Sequence, residues 1–171
     1  MNRFFLILLV SLFLSACSSK TNSNQEEDAT ATESMLEFDL SAFGTQAIIL
    51  LPDTTLSPLE TTILPSGELE IRVGKGFQVM IAEGGDIELK KSDIETDLLY
   101  KGTVLKQTDN SLLYKSELPD GSLSFHHFYV IKEINGNMYE LSDIDNGEPF
   151  SENEAEIMLK SALALKSKVA S

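Results

Sequence analysis

Two histidines stand side by side in the segment SLSFHHFYVIK, and His126 and His127 are the only histidines of the 171-residue chain. An imidazole beside carboxylates can hold a metal ion or move a proton, and 27 acidic residues supply carboxylates freely. Adjacent residues of a strand point to opposite faces, so the pair is poorly placed to chelate one ion. Either histidine with a Glu or Asp from a neighbouring strand makes a candidate site; otherwise each is a packed ring with a hydrogen-bond partner. A second cluster is Asp143, Asp145 and Glu148 in SDIDNGEP, which reads as part of a calcium loop. Gly147 falls one place early for an EF-hand, and the twelfth position is Glu154, which is also placed to cap a helix. An acidic turn before that helix accounts for the same residues. No Gly-x-Ser-x-Gly elbow marks a nucleophilic serine, and the chain has no Trp to stack on a sugar or peptide. One cysteine, Cys17, excludes an internal disulfide, a cysteine-based zinc site and a redox pair.

Cys17 carries a chemistry of its own. Met1-Asn2-Arg3 is a positive start, Phe4 to Leu14 is apolar except for Ser11, and Leu14-Ser15-Ala16-Cys17 follows. The apolar run is about eleven residues, short of the roughly twenty that span a bilayer, which is the signal-peptide pattern. The sequence Leu14-Ser15-Ala16-Cys17 resembles the lipobox of bacterial lipoproteins. That resemblance implies a lipoprotein signal peptide over residues 1–16, diacylglycerol on the Cys17 sulfur, cleavage before Cys17, and a further acyl chain such as palmitate on the new amine. Each buried methylene contributes about 0.8 kcal/mol, so two or more chains give a stable membrane anchor. Ser18 and Ser19 are not acidic, and by analogy with Gram-negative lipoproteins this implies the outer membrane. Ser18 to Ser34, SSKTNSNQEEDATATES, has no aliphatic residue larger than Ala. It is expected to be a disordered tether with a reach of roughly 20–25 Å, and the run Glu26-Glu27-Asp28 to be a solvating spacer.

The formal net charge is -14. Removing Arg3 with the leader leaves 12 basic against 27 acidic residues, a net of -15. Such a surface repels nucleic acid and anionic lipid and tolerates cationic ligands.

The elements that must position these groups are read from periodicity and turn signals. Residues 35–171 are expected to form a single domain. Met35–Phe43 reads as a first strand or a lead-in, Gln46–Asp53 as a buried strand, and Leu56–Pro65, with its two prolines, as a loop. Glu68–Val73 and Phe77–Ala82 alternate around Gly74-Lys75-Gly76 as a hairpin. Ser92-Asp93-Ile94-Glu95 matches a capping box and predicts a helix over Asp93–Tyr100. A meander follows over Gly102–Gln107, Leu112–Leu118, Ser122–Ile134 and Met138–Asp143. Its last turn, Asn135-Gly136, is a type I′ signal. Ser151 to Glu154 forms a second capping box, and Ala155, Met158, Leu159, Ala162 and Leu165 then follow helical spacing. Glu156 and Lys160 form a pair four apart. Lys160, Lys166 and Lys168 suit the helix's negative end.

In the strand around the histidines, Leu123, Phe125, His127, Tyr129 and Ile131 share one face, and Ser124, His126, Phe128 and Val130 the other. Large apolar groups on both faces mark a central strand covered on both sides. The fold class read from this is α+β, an antiparallel sheet with helices on both faces, that is, an α/β/α sandwich. The order of hairpin, helix and meander through LLYKSE, GSLSFHHFYVIKEINGNMYEL and FSENEAEIMLKSALALK looks like small bacterial lipoproteins with a PsbP-like α/β/α sandwich domain. The resemblance covers about Ile48 to Lys166. It implies an accessory or binding protein, and it carries over no catalytic, cofactor or metal residue. The reading is therefore a lipid-anchored protein of the bacterial cell envelope, held to the membrane through Cys17, non-enzymatic and without a cofactor. Its expected partner is an envelope protein or a small ligand. The alternatives are a hydrolase or metal-dependent enzyme using His126 or His127 with nearby carboxylates, and a purely structural envelope component.

Overall fold

Alternation decides how this chain makes sheet. In Leu69–Val73 the residues Leu69, Ile71 and Val73 are buried, while Glu70 and Arg72 lie half-exposed between them. The side chains of a strand have a period of two, so one face enters the core and the other does not. The computed structural model describes residues 34–144 and 149–168, all of which belong to one compact unit, Glu33–Ser171. Cys17 lies outside the described residues, as do the signal peptide and nearly all of the tether read from the sequence.

The elements in chain order are β1 (Leu36–Asp39), β2 (Ala47–Leu51), β3 (Leu59–Ile63), β4 (Leu69–Val73), β5 (Phe77–Glu83), α1 (Ile87–Thr96), β6 (Lys101–Gln107), β7 (Ser111–Glu117), β8 (Ser124–Ile134), β9 (Asn137–Ser142), α2 (Glu152–Leu163) and β10 (Lys166–Ser167). A 3-10 turn over Leu40–Phe43 separates β1 from β2. The fold is mixed α+β and dominated by antiparallel sheet. Seven strands form one sheet in the order β3-β4-β5-β9-β8-β7-β6, and β1-β2-β10 form a second. The meander β6 to β9 is built from sequential antiparallel pairs, as its tight turns require. Asn135 and Gly136 have φ of 54° and 85°, the left-handed pair that a type I′ turn needs.

Two apolar clusters lie on opposite faces of β7 and β8. On one face Leu113, Phe128 and Val130 join Ile71, Val79, Leu141 and Ile49 of β2, and α2 adds Ala155, Met158 and Ala162. On the other face Leu112, Tyr114 and Tyr129 pack against Ile94 of α1.

Several local expectations are corrected. The first helix is α1, ten residues from Ile87, not Asp93–Tyr100. Its cap is Asp86, whose side chain accepts from the N–H groups of Glu88 and Leu89, so Ser92 and Asp93 fall inside the helix. The proline-flanked stretch is not all loop, because β3 pairs there with β4 along Leu59–Ile63. The final helix has the expected capping box, Ser151 with Glu154. It stops at Leu163, however, and Lys166 belongs to β10, with Lys168 just beyond it. Glu156 forms its ion pair with Lys106 of β6 rather than with Lys160.

Candidate functional site

His127 and Asp143 form the most buried polar pair among the described residues. The strand β9 ends at Ser142, opposite Tyr129, so Phe128 on β8 has no further backbone partner from that ladder. Asp143 supplies one from its side chain. Its Oδ1 accepts the Phe128 N–H at 3.1 Å, and its Oδ2 lies 2.6 Å from His127 Nδ1. The two side chains are 3% and 7% exposed. The ring of His127 stacks on Tyr114 with centroids 4.8 Å apart and on Phe125 at 6.2 Å. Asp143 thus fixes which nitrogen of the ring faces it, and the aromatics fix the ring plane.

The pair opens onto a cavity of about 530 Å³ between α1 and the sheet, lined also by Asp86, Lys90, Tyr129 and Glu140. Lys90 stands over two tyrosine rings, with Nζ 5.4 Å from the centroid of Tyr114 and 5.7 Å from that of Tyr129. The Tyr129 hydroxyl donates to Glu140 Oε2 at 2.7 Å and accepts from the Asp86 N–H at 3.1 Å. Burial raises the pKa of this phenol well above the usual tyrosine range, and the bond to Glu140 raises it further. The phenol stays protonated and holds the N-terminus of α1 to the sheet. Gly85, at φ +114°, makes that approach possible. A Cβ there would lie 2.9 Å from the Glu140 side chain and 3.2 Å from the Tyr129 hydroxyl. With Asp93 and Asp143, the cavity carries more carboxylates than cations.

The structure does not bring the two histidines together. His126 is on the opposite face of β8, and its Nδ1 lies 3.3 Å from the carbonyl of Phe150. Of the calcium-loop residues, only Asp143 and Glu154 are described. Asp143 is committed to His127, Asp145 and Glu148 lie outside the described residues, and Glu154 accepts from the N–H and hydroxyl of Ser151 at 2.7 Å each. Among the described residues no group of three or more His, Cys, Asp or Glu side chains is placed to hold a metal ion. Sequence reasoning missed Lys90, the Tyr129–Glu140 pair and the cap at Asp86. A signal was present: Gly84-Gly85-Asp86 gives two glycines and then an N-cap residue before a helix. No family model matches this chain, and neither curated proteins nor solved structures give a match.

Proposed function

We propose that this chain is a lipid-anchored protein of the bacterial cell envelope whose folded domain binds a small polar ligand or an envelope partner without catalysing a reaction. The anchor is read from Leu14-Ser15-Ala16-Cys17, with lipid on Cys17 and the outer membrane as the destination. The binding role rests on one observation, the cavity beneath α1. Its titratable side chains are largely engaged by one another: Asp143 with His127 and the Phe128 N–H, Glu140 with Tyr129. Such a lining favours recognition over proton transfer. The packing of α1 on Tyr129 and of α2 on Phe128 and Val130, from opposite faces of β8, supports the α/β/α sandwich, and with it the PsbP-like resemblance.

A second reading is a hydrolase or metal-dependent enzyme using His126 or His127 with nearby carboxylates. It is favoured by the His127–Asp143 pair, because a carboxylate on Nδ1 is how a general-base imidazole is oriented. Metal uptake tests the metal-dependent form of this second reading. Under the binding reading, calorimetry with zinc or nickel shows no stoichiometric uptake at micromolar affinity. Uptake abolished by substituting His127 would promote the enzyme. The anchor is tested by labelling cells with radioactive palmitate. The wild-type chain is expected to take up label and Cys17→Ser to take up none and remain uncleaved or soluble. Equal incorporation in both would end the lipoprotein reading.

A further inference from the structure

The three most exposed leucines of the described residues lie at one end of the strands, although Leu89 and Ile63, each 61% exposed, lie toward the other. Leu98, Leu56 and Leu99 are 98%, 92% and 70% exposed, the three highest values among the described large apolar residues. Leu98 and Leu99 lie one residue before β6, whose first residue, Lys101, pairs with Glu117, which in turn pairs with Ser124 at the start of β8. Tyr100 sits edge-on against Phe125, with centroids 5.7 Å apart, and Leu123 is exposed beside it. Leu56 precedes β3, next to the β4–β5 turn, where the Gly74 N–H bonds to the carbonyl of Pro58. That turn is at the same end of the sheet. Met80, Ser142 and Tyr129 are in register across β5, β9 and β8, and β5 runs in the same direction as β8, so Phe77 aligns with His126. The N-terminal segment arrives here too: Ser34 lines a cavity of about 540 Å³ with Leu56, Lys75 and Gly76.

We infer that this leucine-rimmed end of the sheet lies against the lipid bilayer, an inference that rests on the reading of Cys17 as lipid-anchored. A flexible tether that joins the domain at Ser34, with a reach of roughly 20–25 Å, brings this end nearer the membrane than the β8–β9 hairpin. Apolar side chains brought to the surface then enter the boundary between headgroups and acyl chains, roughly 5–10 Å deep. The net charge of -15 left once Arg3 is removed with the leader, 12 basic against 27 acidic residues, selects the lipid: anionic headgroups repel the domain, so the matching surface is zwitterionic phospholipid.

The chain has no Trp, so one substitution makes a single reporter. The full, acylated protein carrying Leu98→Trp, Leu56→Trp or, at the far hairpin, Met138→Trp would be reconstituted into phosphatidylcholine vesicles with or without bromine on the acyl chains. All three sites are exposed, at 98%, 92% and 43%, so the fold tolerates the reporter. Bromine is expected to quench the L98W and L56W emission strongly and to leave M138W unchanged. If the protein floats with the vesicles but L98W and L56W are quenched no more than M138W, the orientation is overturned and the anchor stands. If the acylated preparation does not float, the anchor fails and the orientation falls with it.

Discussion

At the scale of single residues, Asp143 does two jobs with one carboxylate. It replaces a missing strand partner for Phe128 and it fixes the ring of His127. Removing it leaves two buried donors without acceptors, and each such group costs about 1–3 kcal/mol. Asp143→Ala is therefore expected to lower the denaturant midpoint clearly. His127 offers a sharper test, because its bond runs through Nδ1. An Asn amide nitrogen falls near that position, whereas the Gln amide reaches toward Nε2. His127→Asn should retain more stability than His127→Gln, and the reverse order of urea midpoints would show that the bond to Asp143 is not what holds this ring. The facing of the two histidines was legible in the sequence, because adjacent strand residues must diverge. The partner was not. Asp143 lies 16 residues away across a hairpin, in a segment whose composition matches an acidic turn or an ion-binding loop equally well.

At the scale of elements, α2 was legible and α1 was misplaced, for one physical reason. A helix start is a local code, and the code is dependable only where its groups are free to bond. Ser151 and Glu154 make the reciprocal box that their spacing predicts. Ser92 and Glu95 have the same spacing, but Asp86 starts the helix a turn and a half earlier. The strand β3 was hidden differently: it is exposed along its whole length, so no alternation marks it. Within α2 the stripe is narrower than periodicity suggests. Met158 is fully buried and its sulfur accepts the Gln78 N–H at 3.2 Å, while Leu159 is only partly buried at the margin of the core. Met158→Ala should thus cost about 2–5 kcal/mol, the range for emptying a packed core position, and Leu159→Ala distinctly less. Equal losses in paired urea melts would mean that α2 packs in a different rotation.

At the scale of the whole molecule, the two ends of the domain are tied through β2, which takes β1 on one side and β10 on the other. Charge reinforces the tie. Lys166 reaches Glu37 and Lys168 reaches Asp39, each at 2.6 Å. The bond from Lys168 and those from Ser41 hold the Asp39 carboxyl down to a pKa of about 2, from 3.8. A carboxyl with a depressed folded-state pKa contributes stability that is present above its unfolded value and is lost as pH falls through the folded value. For Asp39 that window runs from about pH 4 down to about pH 2. Acidification also relieves the self-repulsion of a chain with a net charge of -14, so the raw stability curve mixes two opposing effects. The difference between wild type and Asp39→Asn cancels the part common to both. That difference should favour wild type at neutral pH, hold steady down to about pH 4, and shrink toward zero by about pH 2. It should also narrow in high salt, because these groups are exposed to solvent. A difference that stays constant across the acid range would place the value of Asp39 in shape or in its hydrogen bonds to Ser41, and not in the charge that joins the C-terminal strand to β1.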